Sequence, residues 1–264
     1  MEDCLPFFKY DTEGRVLRPA AVPTGRSTGL PRRPARSARG RLTQTAELGY
    51  NPRMDILLAS ANQHKVRELR MIFADHRVIT PPELGVVFEH EETGDTFFAN
   101  AYAKALAFFE LLQWQCRHSD IPDPTADDTL VIADDSGLCV EALAGAPGVF
   151  SARFGAQEGA ASDDERTALL LQKLEGARSR GAHYVCCMIG IRGVDRFYCA
   201  QETWHGEIAL ERSSGKGGFG YDPVFVLPER GVTVADISDA EKHELSHRGR
   251  AARALNGVLS SKGV

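Results

Sequence analysis

No run of apolar residues in this 264-residue chain approaches the ~20 needed to span a bilayer. The six cysteines (Cys4, Cys116, Cys139, Cys186, Cys187, Cys199) form no C-x-x-C pair and no paired framework. That removes the usual zinc sites and disulfide scaffolds. Cys139, Cys186, Cys187 and Cys199 lie in apolar, strand-like runs, where a thiol behaves as a small hydrophobe. A reducing, cytoplasmic setting is the expectation. Excess positive charge is also missing from the body of the chain. Residues 54–264 carry 21 basic and 31 acidic side chains, and a duplex-binding surface needs the opposite balance. No internal repeat is visible.

Basic charge is concentrated instead in residues 1–53, which hold ten basic and five acidic side chains. From Arg15 to Arg41 there are eight arginines, no acid, and repeated Pro, Gly, Ser and Thr. Such a segment buries too little apolar surface to offset its ordering entropy. It reads as a disordered Arg-rich extension or as a mis-assigned start, with Met54 as the initiator directly ahead of a strand. A transit peptide or a nucleic-acid tail are the other readings of an acid-poor arginine arm. The folded domain is expected over 54–264.

From Met54 onward, strands and helices alternate. Asp55–Ala59 reads as a strand. His64–Ala74 reads as a helix with Val66, Leu69 and Phe73 on one face. Thr96–Leu112 reads as a longer helix with Phe97, Ala101, Ala105, Phe108 and Leu112 as its stripe. Residues 113–128 are polar and proline-containing, so a surface loop is expected. Thr129–Ala133 is a strand. Ser162 to Glu165 and Ser238 to Glu241 are capping boxes. His183–Ile191 and Arg196–Trp204 form a hairpin about 192–195, and a terminal helix starts near Ser246. The fold class is α/β, a mixed twisted β-sheet flanked by helices.

Five polar segments fall at loops or helix ends. Ser60-Ala61-Asn62-Gln63-His64-Lys65 joins a strand to a helix, where backbone amides and a lysine suit phosphate. It lacks the glycines of a Walker loop, and a plain helix cap is the ordinary alternative. Glu91-Glu92-Thr93-Gly94-Asp95 leads into the helix bearing Asn100 and Lys104. Its carboxylates suit a hard cation such as Mg²⁺, or simply a solvated loop. In VIADDSGLCVEALAGAPGVFSARF (131–154), a β-branched run delivers Asp134 and Asp135 into an Asp-Ser-Gly turn, with Arg153 following. Acids at the end of a buried strand are costly unless something uses their charge. Ser214 to Pro223 places four glycines beside Phe219, Tyr221 and Asp222, so backbone can approach a ligand closely. Lys242 and Ser246-His247-Arg248-Gly249 cluster basic groups ahead of the terminal helix; a basic surface cap is the dull account. Together these are the parts of a nucleoside triphosphate hydrolase.

LLASANQHKVREL, EETGDTFFANAYAKA, ADDSGLCVEALAGAPGVFSARF, GGFGYDPVF and LSHRGRAARAL occur in that order. With these motifs the chain resembles the noncanonical purine NTP pyrophosphatases, the inosine/xanthosine triphosphate pyrophosphatase family, over about 54–262. The resemblance implies two lobes with the nucleotide cleft between them, and a homodimer. It implies Mg²⁺-dependent hydrolysis of ITP, dITP and XTP to monophosphate and pyrophosphate, which would keep them out of DNA and RNA. Asp135 matches the proton acceptor and a magnesium ligand, and Glu92 a magnesium-associated acid. Ser60, Ala61, Asn62, Gln63, His64 and Lys65 match the nucleotide-binding loop, and Ser136 a substrate contact. Lys104 and Arg153 match cationic substrate contacts. Phe219, Gly220, Tyr221, Asp222, Lys242, His247 and Arg248 match the nucleobase pocket. Two departures stand out: Ser60-Ala61-Asn62 where the family has Thr-Gly-Asn, and Ala99-Asn100-Ala101 where it has Glu-Asn-Ala.

Two rival functions come from other classes. A catalytically silent binder of deaminated purine nucleotides would hold ITP without releasing pyrophosphate. A nucleic-acid-binding protein acting through the arginine arm would lose that binding without residues 1–53.

Overall fold

The computed structural model describes residues 53–260 and, by itself, a small antiparallel ribbon of β1 (Lys9–Tyr10) and β2 (Val16–Leu17). Apart from that ribbon and Arg53, the expected N-terminal extension lies outside the described residues.

The remaining strands build one seven-stranded sheet in the order β4-β3-β5-β6-β7-β8-β9. They are β3 (Asp55–Leu58), β4 (Arg77–Ile79), β5 (Thr129–Val140), β6 (Gly181–Ile191), β7 (Phe197–Ile208), β8 (Phe225–Leu227) and β9 (Val232–Thr233). β4 and β5 run parallel to β3, and every later pairing is antiparallel. The sheet is therefore mixed, and the α/β reading holds. The helices are α1 (Gln63–Ile72), α2 (Phe97–Gln115), α3 (Asp163–Lys173), α4 (Asp239–Leu245) and α5 (His247–Ser260).

Local chemistry starts these helices where the sequence indicated. The Asn62 side chain accepts from the amides of His64 and Lys65, and Thr96 from Ala99. Ser162 with Glu165, and Ser238 with Glu241, close reciprocal capping boxes. Ala101, Ala105, Phe108 and Leu112 of α2 are buried. Among the described residues no helix is long and apolar enough to cross a membrane.

One expectation fails. The Asp-Ser-Gly segment is not a turn. β5 continues through it to Val140, because β6 pairs with it residue by residue from Val131↔Ile191 to Val140↔Ala182. On the other side, the pairing with β3 ends at Leu58↔Ile132. Past that point β5 has lost its parallel neighbour, and its edge opens to one side.

Side chains alternate across a strand. Leu130 and Ile132 of β5 join Val66, Leu69, Ala251 and Leu255 in one apolar cluster. Leu138 and Val140 join Leu170, Tyr184, Trp204 and Phe225 in a second. Asp134 and Ser136 fall between the two clusters on the same face. Two apolar centres flanking a polar gap are compatible with the expected lobes and intervening cleft.

Candidate active site at the open edge of β5

A cavity of about 400 Å³ lies along this stretch of β5, lined by Asp135 to Leu138, within the size range of small-molecule sites. Its floor is β5. Asp134 is 1% exposed and faces α1 and α5, with its Oδ2 3.0 Å from Lys65 Nζ and 3.2 Å from Arg248 Nε. Burial alone would raise the Asp134 carboxyl, but the charges of Lys65, Arg248 and Lys104 outweigh it and hold it far below the ordinary carboxylate range. Asp134 thus anchors cations.

Asp135, one residue on, faces α2 and lines the cavity. Its Oδ2 accepts from Asn100 Nδ2 at 2.9 Å, and its Oδ1 from the Ser136 amide at 2.9 Å. Burial, and then the negative charge of Glu92, raise its carboxyl above the ordinary value. Glu92 lines the same cavity, with its Oε1 2.6 Å from Lys104 Nζ. The two acids expected to share a cation therefore face one space. Gly137 follows because a Cβ there would lie 2.3 Å from the Gly148 carbonyl oxygen.

Another part of the cavity lining is aromatic and charged. The Phe219 ring stacks on His64 at 4.9 Å between centroids, with Lys242 Nζ 4.4 Å from its centre. Lys242, itself buried, lies 2.7 Å from Asp222 Oδ2 and 2.9 Å from Glu68 Oε1. Arg248 Nη1 lies 2.6 Å from Glu68 Oε2. Burial works against the Lys242 charge, but Asp222 and Glu68 raise its pKa all the same. His247 stacks on Tyr184 at 4.8 Å and is held well below its ordinary pKa by burial and by Arg248 and Lys242. It is a neutral imidazole. Gly218 has φ +69°, and a Cβ there would strike Asp222 Oδ2; only glycine lets Asp222 take the Phe219 amide at 2.7 Å.

Most of the expected residues meet here. Ser60, Asn62, His64, Lys65, Lys104 and Ser136 line the cavity with Phe219 to Asp222, Lys242, His247 and Arg248. Ala61, Gln63 and Arg153 do not. The Arg153 guanidinium donates to the Glu92 carbonyl at 2.8 Å and lies over the Phe150 ring at 4.8 Å. The basic groups near α5 are no surface cap, since Lys242, His247 and Arg248 are each at most 5% exposed. Sequence reasoning missed Glu68, which holds two of them, and Asp163 and Arg166 on the cavity wall. Each sits in an ordinary helical pattern that carries no signal of its own.

A sequence model of the Ham1 family matches residues 56–258, which span every element of the cavity. The chain belongs to the Ham1 family. Ham1 relatives include the dITP/XTP pyrophosphatase of Treponema denticola, 42% identical over 207 residues, covering 78% of this chain and 98% of that protein. That of Chromobacterium violaceum is 41% identical over 209 residues, covering 78% and 97%. Among solved structures, a HAM1 protein from Coxiella burnetii superposes with TM-score 0.65 at 35% identity, covering 78% of this chain and 98% of that one. The Ham1 protein of Staphylococcus aureus gives 0.65 at 36% identity, covering 79% and 100%.

Proposed function

We propose that this Ham1 protein is a nucleoside triphosphate pyrophosphatase that hydrolyses deaminated purine nucleotides (ITP, dITP and XTP) to the monophosphate and pyrophosphate. One observation carries the reading. A single cavity is lined by an aromatic ring with buried Lys242 and Arg248, by Lys65 and Lys104, and by the acids Glu92 and Asp135. The dITP/XTP pyrophosphatases of Treponema denticola and Chromobacterium violaceum support the same substrate class.

The acid pair fits a divalent cation. Burial and the charge of Glu92 both oppose ionisation of Asp135, and a cation between the two carboxylates would relieve that opposition. Mg²⁺ is the ion we assign, because it is commonly held by one or two carboxylates together with waters and substrate phosphates. When bound, it supplies charge neutralisation at the phosphates and lowers the pKa of coordinated water. The chain does the rest. Asn100 and the Ser136 amide fix both oxygens of Asp135, leaving lone pairs to take the proton of the attacking water. That oxygen bonds to the α-phosphorus as the bridge to the β-phosphoryl group breaks and pyrophosphate departs. Lys65 and Lys104, held by Asp134 and Glu92, balance the phosphate charge.

Base selection follows from donor chemistry. Hypoxanthine and xanthine carry an oxygen at C6 that can accept from Lys242 or Arg248, which cannot themselves accept. Adenine presents a donor there and leaves the N–H that would meet that oxygen without an acceptor, at roughly 1–3 kcal/mol.

Assembly as a homodimer, in the cytoplasm, completes the proposal. Phe98 and Phe197 are 41% and 50% exposed and bracket Tyr102, an aromatic patch of the kind that marks an interface. The described cysteines are all free, in keeping with a reducing compartment.

The deciding experiment is product analysis with ITP, dITP, XTP, GTP and ATP, with and without Mg²⁺. We expect IMP and pyrophosphate from ITP, and Asp135→Asn to lower turnover at least ~100-fold while ITP still binds. Binding without pyrophosphate release by the native protein would establish the silent binder instead. ATP cleaved as fast as ITP would overturn the base-edge argument.

A further inference from the structure

The cavity has a wall that the reaction above does not use. At the start of α3, Asp163 and Arg166 line it. Arg166 is tied down: Nη1 donates to the Ala161 carbonyl at 3.1 Å and Nη2 to Asp163 Oδ1 at 2.6 Å. Its side chain is 16% exposed, whereas that of Asp163 is 48% exposed. The second oxygen of Asp163 accepts from the Gly220 amide at 2.9 Å. The arginine is occupied in holding the acid, and the acid is offered to the cavity.

Its place in the cavity defines what it meets. Gly220 follows Phe219, the ring of the base end. His64, in the first turn of α1 and directly before Lys65, stacks on Phe219 and lies near Asp163. Asp163 therefore stands beside the loop that carries the aromatic ring and close to the first turn of α1, where Lys65 follows His64. In a nucleotide, the only component between base and phosphates is the sugar.

The chemistry selects the same group. Burial would push the Asp163 carboxyl up, but the bonds from Arg166 and the Gly220 amide outweigh it and keep the acid ionised. An ionised carboxylate only accepts, and each oxygen has a second lone pair free. It repels phosphate and suits a hydroxyl donor. We propose that Asp163, positioned by Arg166, accepts hydrogen bonds from the ribose hydroxyls of the substrate and forms a sugar-recognition site on the α3 side of the cavity. The proposal rests on the nucleotide reading given above and adds the sugar to it.

The test compares ITP with 2′,3′-dideoxyinosine triphosphate, which lacks both hydroxyls, on the full-length native protein, Asp163→Ala and Arg166→Gln. The native protein should favour ITP by about tenfold in kcat/KM, the scale of a hydrogen bond to a charged group. Asp163→Ala should bring ITP down to the dideoxy level, mainly through KM, with the dideoxy substrate unchanged within about twofold. Arg166→Gln should give a smaller loss of the same selective kind, which serves if Asp163→Ala fails to fold. Equal use of both substrates by the native protein overturns the proposal. So does an equal loss on both substrates in the variants, which marks a merely structural role for this helix start. If the native protein turns over neither substrate, the catalytic reading has failed, and calorimetric binding of the two ligands decides the sugar contact by the same comparison.

Discussion

Arg248 Nη1 lies 2.6 Å from Glu68 Oε2 across 180 residues of chain. Glu68 also takes Lys242 at 2.9 Å, so one acid on α1 holds the two buried cations of the base end. Burial would raise the Glu68 carboxyl, but Arg248 and Lys242 keep it below its ordinary value. Replacing Glu68 with Ala takes one acid from each buried cation, leaving Lys242 with Asp222 and Arg248 with Asp134, at a cost on the order of 3–5 kcal/mol. Urea unfolding should show that loss at an unchanged m-value. A change under about 1 kcal/mol would mean that Asp222 and Asp134 suffice as partners.

The acid limb of the rate should follow Asp135. Its carboxyl is raised by burial and Glu92, and opposed by the Asn100 hydrogen bond. Turnover needs the ionised form, so it falls as pH drops through the Asp135 pKa that holds with Mg²⁺ bound, which lies below that of the metal-free protein. Asn100→Ala removes a bond that favours the ionised form, and the limb should move to higher pH. A pH–kcat profile at saturating Mg²⁺ checks the direction. An unmoved limb would assign the proton acceptor elsewhere.

Stability should carry a histidine signature. His247 is neutral in the fold, with its pKa well below the ordinary 6.5 because of burial and the nearby Arg248 and Lys242 charges. In the unfolded chain it takes a proton below about pH 6.5, so the unfolded state binds more protons there and stability falls as pH falls. His247→Phe keeps a ring against Tyr184 and removes the titration. The decline in Tm between pH 6.5 and 5 should be shallower in that variant than in the native protein; parallel curves would refute the assignment.

The aromatic patch predicts assembly. Phe98→Asp with Phe197→Asp should halve the mass seen by light scattering at micromolar concentration, while far-UV circular dichroism is unchanged. A native protein that is monomeric at those concentrations would retire the dimer.

The sequence revealed the helix starts because their causes are local. Ser162 with Glu165, and Ser238 with Glu241, sit three residues apart and need no tertiary partner to be read. The continuation of β5 through Asp134-Asp135-Ser136-Gly137 was not legible. Turn-forming residues are held in a strand there by β6, which lies some fifty residues away. Glu68 and Arg166 were hidden for a related reason: a charged residue in an amphipathic helix looks solvated until the packing of another element, α5 or the loop at 220, defines its surroundings. Arg153, close in sequence to the site, lies outside the cavity lining and donates one N–H to the Glu92 carbonyl.

The adjacency of Asp134 and Asp135 has an evolutionary cost. Consecutive positions on a pleated ribbon face opposite ways, so the two acids are assigned by parity alone. A slip of β5 by one place would present the wrong acid to Lys65 and Arg248 and turn the other away from Asn100. Loss of a single codon between 129 and 133 would put Asp135 in the anchor's place and Ser136 in the base's, and gain of one would put Ala133 and Asp134 there, so this stretch is far less tolerant of length change than of substitution.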